Sequence, residues 1–394
     1  MSIGAVNESG RTRRLRLGMV GGGEGAFIGA VHRIAARIDD EWELVAGAFS
    51  SDPARGRRSG IDLRLDPQRC YGSFKEMAAD EATRSDRIDA VAIVTPNHVH
   101  HPAASAFLAA GIDVICDKPL CRTMGEARDL VAQVSASGRL FAITYNYTGY
   151  PMVRQAREMV AAGELGTIRT IQAEYAQDWL STDLETTGQK QADWRTDPAR
   201  SGAGGAIGDI GTHAFNLAEF IAGQECAELA ADLSTFVAGR RLDDNAQMLL
   251  RFAGGARGAL WASQVAPGNE NGLAIRIHGE KAALSWRQEH PNQLVFSRLG
   301  QPPVALSRGG PTIGAAAAHA TRLPSGHPEG YLEGFAQLYR DVAAQLRARQ
   351  AEIAVDPLTT LVPSIREGVR GMAFVTAAIA SSAADGVWTA IQAY

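Results

Sequence analysis

Three stretches of this sequence bring together residue types that can do chemistry. In Gly208-Asp209-Ile210-Gly211-Thr212-His213 an acid and an imidazole lie four residues apart, so helical geometry would set Asp209 and His213 on one face. There Asp209 either accepts a hydrogen bond from His213 and fixes its tautomer, or binds a substrate hydroxyl; alternatively it is a helix N-cap and His213 a buried, satisfied residue. In Asp117-Lys118-Pro119 the lysine follows a β-rich run. A lysine stabilises developing negative charge as an ammonium, or acts as a base when its surroundings disfavour the charge. Together a lysine, a histidine and an acid supply what oxidation of a secondary alcohol needs: an acceptor for the hydroxyl proton and a donor for the oxygen that becomes a carbonyl.

The third stretch is Gly21-Gly22-Gly23-Glu24-Gly25-Ala26-Phe27-Ile28-Gly29, between a strand pattern and a helix pattern. Glycines there let the backbone turn tightly and approach a pyrophosphate at a helix N-terminus. Two spacings compete: Gly21, Gly23 and Ala26 satisfy G-x-G-x-x-G/A, or Gly29 is the third glycine of a longer loop. The second strand ends at Ser50 and Ser51, where an acid commonly binds the ribose, and Arg55 nearby could reach a 2′-phosphate. NAD and NADP both fit this pattern, and Ser50 to Pro53 also read as a plain helix cap. Thr95, Pro96 and Asn97 close another strand, either as a holder of the nicotinamide ribose or as a simple turn.

These residues need an α/β framework to position them. From Leu15 short apolar runs alternate with helical patterns: strands at 15–20, 43–49, 90–95, 113–116 and 140–145, with helices near 29–38, 101–110 and 124–137. Runs such as Ala90 to Thr95 are apolar on successive residues, as in a parallel sheet covered on both faces. The pattern predicts a Rossmann-type, doubly wound dinucleotide-binding domain over residues 15–146. Beyond it, mixed polar and apolar runs at 167–177, 228–237, 245–252, 256–264 and 273–279 predict a large, mostly antiparallel open sheet. Helical patterns return at 330–348 and 364–382, so residues 147–394 read as an α+β domain for substrate binding and oligomerisation. Residues 1–14 read as a disordered tail.

With 394 residues, 45% hydrophobic and 21% charged, the chain has material for two ordinary cores. A net charge of −4 gives no reason to expect nucleic acid or an anionic membrane as a partner, which leaves a small molecule. Four cysteines without a CxxC pair and the lack of a signal-peptide pattern point to a soluble cytoplasmic protein. His100 and His101 have no metal-ligand partner at useful spacing, so no metal is expected.

Taken in order, the glycine loop, Thr95-Pro96-Asn97-His98-Val99-His100, Asp117-Lys118-Pro119 and Gly208 to His213 resemble the signature set of the Gfo/Idh/MocA oxidoreductases, with Asp117 in place of the usual glutamate. The resemblance implies a nucleotide-binding domain followed by a sheet-rich domain that forms homodimers or homotetramers. It implies that Gly21, Gly23, Ala26, Phe27, Ser50, Ser51, Arg55, Thr95, Pro96, Asn97, His100, Asp117 and Lys118 line the cofactor. It also implies that Lys118, Asp209 and His213 are catalytic, meeting the substrate beside the nicotinamide. Asn146, Tyr147, Trp194 and Arg195 resemble positions around a polyol pocket, and Lys190, in a polar loop just before, could reach the substrate or be solvated. His327, in Gly326-His327-Pro328-Glu329-Gly330, is similar to a subgroup's pocket residue; otherwise Pro328 and Glu329 simply open a helix. The expected activity is NAD(P)-dependent hydride transfer to or from a ring hydroxyl of a sugar, glycoside or cyclitol such as inositol. The competing reading is a regulatory protein of the same fold that senses the nucleotide without turnover.

Overall fold

Five short runs of Leu, Val, Ile and Ala form a parallel sheet: β1 (Leu15–Gly21), β2 (Trp42–Ala48), β3 (Ala90–Val94), β4 (Asp113–Cys116) and β5 (Phe141–Ile143). They are ordered β2-β1-β3-β4-β5, and every residue of β3 and β4 is buried. The strand order reverses between β1 and β3, which opens a crevice at the carboxyl ends of those strands. The glycine loop leaves β1 there, and Thr95-Pro96-Asn97 leaves β3. These strands belong to the first of two units in the computed structural model, which describes residues 13–392. Residues 1–12 of the expected tail lie outside the described residues; Arg13 and Arg14 form ion pairs with Asp89 and Asp40 at 2.7 and 2.5 Å.

The first unit takes in residues up to Leu120, Glu126–Asn146 and Tyr331–Arg366. The helix Tyr331–Gln350, which the sequence pattern alone assigns to the second domain, packs on the helix Phe27–Ile38 of this unit. Its apolar stripe explains why. Phe335, Tyr339, Val342 and Leu346 recur at helical spacing and complete the core formed by Leu17, Met19, Val31, Ala35 and Trp42.

The second unit comprises Cys121–Gly125, Tyr147–Gly330 and the residues from Glu367 onward. Its sheet has nine strands: β6 (Ile168–Ala176), β7 (Cys226–Ser234), β8 (Asn245–Phe252), β9 (Arg257–Ser263), β10 (Gly272–Gly279), β11 (Ala282–Arg287), β12 (Gln293–Arg298), β13 (Val304–Ser307) and β14 (Thr389–Ala390). Their order is β13-β12-β11-β10-β6-β9-β8-β7-β14. Among the described residues of this sheet, only β6 and β9 pair in parallel. The sheet is larger than the sequence pattern suggests: β11 to β13 extend it by successive antiparallel pairings.

One face of this sheet carries the helix Thr212–Ala222, which packs on β6, β9 and β10. Behind it, Phe215 stacks on Phe374 of the helix Ile365–Ala383 at 4.2 Å. The other face has a hollow of about 580 Å³ lined by Gln172, Glu174, Leu249, Ala259, Trp261 and Arg276 among others. Among the described residues, no helix is long and apolar enough to cross a membrane.

Candidate active site

In the first unit the candidate site is mostly backbone. Gly21, Gly22 and Gly25 have φ values of +82, +72 and +72°, a region that disfavours side chains. A Cβ on Gly21 would lie 2.7 Å from the Val94 carbonyl oxygen, and one on Gly23 would lie 2.8 Å from that of Phe49. Gly29 packs so closely on Gly22 that its Cβ would fall 2.3 Å from the Gly22 Cα, the close approach between loop and helix that the longer spacing requires. Ala26 donates its N–H to the Gly23 carbonyl and stands just before the helix Phe27–Ile38, whose N-terminus has no side-chain cap. Phe27 is exposed beside it. An uncapped helix start behind a glycine cradle has the shape and N–H donors that a dinucleotide pyrophosphate takes, so these residues fit the expected cofactor.

At the end of β2 the polar groups are partly committed. Asp52 caps the helix Pro53–Asp62, accepting N–H bonds from Ala54 and Arg55 at 2.9 and 3.1 Å, and Ser50 Oγ accepts from the Asp52 N–H. Ser51 and Arg55 are exposed. After β3, Pro96 leads into a short turn, Asn97–Val99, with Asn97 buried. Thr95 Oγ1 is buried with no hydrogen-bond partner, and so is Nδ2 of Asn146, which follows β5. Both residues follow strands of the parallel sheet, at the carboxyl ends where such sheets take their ligands.

His100 joins two of the motifs. Its Nδ1 lies 2.8 Å from the Pro119 carbonyl oxygen and its Nε2 lies 2.9 Å from that of Thr95. The strand end of β3 is thereby tied to the turn after β4. Burial is the largest influence on this imidazole and pushes it below its usual pKa, against the charge of Asp117 and the two carbonyls. Asp117 itself accepts from Thr144 Oγ1 at 2.5 Å and faces His32 Nε2 at 3.8 Å. Burial works to raise its carboxyl, but His32, Thr144 and Lys118 together hold it well below the usual carboxylate range. Lys118, half-buried, follows directly.

The second unit gathers side chains instead. A π-helical turn, Ile207–Gly211, runs straight into the helix Thr212–Ala222 and carries Asp209, while His213 lies in the first turn of that helix. Asp209 is therefore within a continuous helical run and not at its cap, and π turns recur at functional sites. Asp209 Oδ2 accepts from Arg195 Nε at 3.1 Å and from Gln264 Nε2 at 2.9 Å. Arg195 is braced by Gln191 Oε1 at 2.5 Å and sits over the Trp194 ring, 4.3 Å from its centroid. All three residues belong to the short helix Lys190–Arg195, which begins at the exposed Lys190 that the sequence reading set in a loop.

The His213 ring packs edge-on against Tyr147 and Tyr175, at centroid distances of 5.0 and 6.1 Å. The two tyrosine hydroxyls share a hydrogen bond of 2.6 Å, and Tyr175 donates to Asn271 Oδ1 at 2.7 Å. Burial raises the Tyr147 phenol, which keeps it a neutral donor. Sequence reasoning found Tyr147 but missed Tyr175, Gln264 and Asn271. Each lies at or just beyond a strand end, outside any motif, and only strand pairing brings them together.

His327 is exposed on a loop of this unit. Next to it Glu329 is buried and does not cap a helix. Its Oε1 accepts from Arg308 Nη1 at 2.8 Å and from the N–H groups of Arg322 and Leu323, which pins the loop. Among the described residues there is no group of three or more His, Cys, Asp or Glu side chains placed to hold a metal ion.

Comparison with known proteins agrees with this architecture. Residues 15–145 match the model of the oxidoreductase family with an NAD-binding Rossmann fold, and residues 153–285 match the GFO/IDH/MocA C-terminal domain. An uncharacterised oxidoreductase of Bacillus subtilis, YfiI, is 34% identical over 96% of this chain and 97% of its own. The crystal structure of an oxidoreductase from Sinorhizobium meliloti superposes with a TM-score of 0.87 at 52% identity, covering 96% of this chain and 99% of that one. An inositol dehydrogenase homologue from Azotobacter vinelandii, solved with NADH and myo-inositol, superposes with a TM-score of 0.89 at 39% identity, covering 96% and 98%. With both domain models matched in order and relatives aligned over nearly its whole length, the chain belongs to the Gfo/Idh/MocA family of NAD-binding oxidoreductases.

Proposed function

We propose that this protein transfers a hydride between NAD(P) and a ring hydroxyl of a cyclitol, sugar or glycoside. The observation that carries the reading is the likeness, along 96% of the chain, to a structure that holds NADH and myo-inositol. When bound, the nicotinamide supplies the hydride acceptor or donor. Gly21, Gly23, Ala26 and Phe27 hold the pyrophosphate, Ser50, Ser51 and Arg55 meet the adenosine ribose, and Thr95, Pro96 and Asn97 meet the nicotinamide ribose. His100 and Asp117 shape the turn that presents Lys118.

In this reading Lys118 binds or deprotonates the reacting oxygen, and His213 serves as general acid/base. Asp209, held by Arg195 and Gln264, orients them or accepts a substrate hydroxyl. Asn146, Tyr147, Lys190, Trp194, Arg195 and His327 complete polyol binding through hydrogen bonds and ring stacking. The test is a panel of myo-inositol, its isomers, aldoses and levoglucosan assayed with NAD and with NADP. Turnover of at least one cyclic polyol is expected; nucleotide binding with no turnover of any would instead favour the sensing protein.

Association through the open face of the nine-stranded sheet belongs to the same proposal. Leu249, 57% exposed, and Trp261 line a hollow there that a second copy would fill. Light scattering at micromolar concentration should give a homodimer or homotetramer, reduced to monomer in Leu249→Arg; a monomeric wild-type protein sinks the idea.

A further inference from the structure

Behind the turn that carries Lys118 lies a chain of polar groups from three distant parts of the first unit. His32, on the helix Phe27–Ile38, is fully buried, and Tyr339, on the helix Tyr331–Gln350, is 1% exposed. Tyr339 Oη lies 2.8 Å from His32 Nδ1. His32 Nε2 has no hydrogen-bond partner and faces Asp117 Oδ1 at 3.8 Å. Two buried polar side chains facing a mostly buried acid are costly unless they serve one another or a function.

The protonation state of the tyrosine follows from its surroundings. Burial and the negative charge of Asp117 both raise the Tyr339 phenol, so it remains protonated. Where its O–H donates to Nδ1, the N–H of the imidazole lies on Nε2, the ring nitrogen that faces Asp117. Asp117 is in turn built into the site. Its own N–H donates to the Ile93 carbonyl at 2.9 Å, and its carboxylate accepts from Thr144. The ring of His32 is clamped by Phe335, 5.0 Å away, and by Tyr339, so the N–H cannot easily turn aside.

We propose that Tyr339 and His32 are positioning residues of the reaction: together they aim an N–H at the Asp117 carboxylate, which anchors the turn presenting Lys118. This rests on the reading of Lys118 as the group that meets the reacting oxygen. It also gives the return of the helix Tyr331–Gln350 to the first unit a chemical purpose, since that helix brings Tyr339 to the back of the site. The groups that bear on Asp117 are His32, Thr144, Lys118, His100 and Tyr339. Of these, His32 opposes most strongly the burial that would otherwise protonate the acid.

The experiment compares His32→Leu, His32→Gln and Tyr339→Phe with wild type and with Lys118→Ala, on a turned-over polyol and in the nucleotide-free protein. Glutamine can accept from Tyr339 and donate to Asp117, so His32→Gln should keep most activity. His32→Leu should lower kcat about tenfold with little change in the KM for nucleotide, and Tyr339→Phe about threefold, within the range of losing one positioning contact. Both should show a new loss of turnover on the acid side, between about pH 4 and 6, because an unsupported buried carboxyl protonates at higher pH. Without nucleotide, the Tm deficit of Tyr339→Phe, which removes no group that titrates in this range, should shrink as the pH falls through it; a deficit due to packing alone stays constant. If Lys118→Ala abolishes turnover while His32→Leu and Tyr339→Phe keep the wild-type kcat and acid limb, the positioning role is overturned and the function stands. If Lys118→Ala turns over normally, the reading of Lys118 falls and the positioning role falls with it. Should His32→Leu fail to fold, Tyr339→Phe, which removes one oxygen, carries the same test.

Discussion

The two candidate regions are made of different material. In the first unit the loops at the carboxyl ends of β1, β3 and β4 offer mostly backbone: a glycine cradle that any Cβ would obstruct, an uncapped helix start, and carbonyls bridged by His100. In the second unit the backbone only carries side chains that meet from separate strands and helices, with Arg195 and Gln264 on Asp209 and two tyrosines around His213. A backbone-built region recognises what is common to all substrates of a family, the dinucleotide, and tolerates little change. A side-chain-built region can be re-cut for a new substrate by exchanging residues that no motif constrains.

Lys118 is the sharpest way to break that comparison, because it is a chemical side chain set among backbone. Lys118→Ala should lower turnover on the order of a hundredfold or more while nucleotide affinity and Tm change little. Lys118→Arg should not restore it, since a guanidinium is larger and cannot act as a base. Near-wild-type turnover in Lys118→Ala would leave all the chemistry to the second unit. Gly23→Val sharpens the other half. Its Cβ alone would lie 2.8 Å from the Phe49 carbonyl oxygen and 2.9 Å from Ser59 Oγ, so the loop must shift. Nucleotide affinity should fall on the order of tenfold, measured by calorimetry on a folded variant. Unchanged affinity would place the phosphates elsewhere.

The same contrast explains what the sequence could disclose. The parallel sheet was legible because β3 and β4 are buried throughout and so read as unbroken apolar runs. The glycine loop was legible because its requirement is local: a few residues in a row without side chains. Gly29 was one of two candidates for the third glycine, and its contact with Gly22 is a packing fact no spacing rule contains. The return of the helix Tyr331–Gln350 to the first unit was not legible, since an amphipathic stripe tells that a helix is covered but not by what. Nor were Tyr175, Gln264 and Asn271, whose meeting depends on the register of β6 with β9 and β10. The i, i+4 spacing of Asp209 and His213 did survive into a helical run, but the π turn under Asp209 has no sequence signature.

That π turn gives the smallest of the expected effects and a test of how the side-chain region is held. Asp243 accepts the N–H of Gly205 at 2.6 Å and that of Ile207 at 2.8 Å, fixing the backbone just where the turn begins. Gly205 has to be glycine, as a Cβ there would lie 2.0 Å from the Asp243 carbonyl oxygen. Burial, with a contribution from the neighbouring Asp244, raises the Asp243 carboxyl to about 6, even though both N–H bonds favour its charge. The folded state therefore binds this proton more tightly than the unfolded chain. Its contribution to stability is full below the ordinary carboxylate pKa and is lost as the pH rises toward 6, with a slope of at most about 1.4 kcal/mol per pH unit. Thermal melting from pH 4 to pH 6 should thus show wild type losing stability relative to Asp243→Asn, whose amide does not titrate. Asn presents one acceptor oxygen and an NH2 that cannot accept, so it should melt lower at pH 4, where both oxygens of the protonated acid keep acceptor lone pairs, and the gap should narrow toward pH 6. Parallel melting curves across that range would mean that Asp243 is already ionised and that the π turn is held as rigidly in acid as at neutral pH.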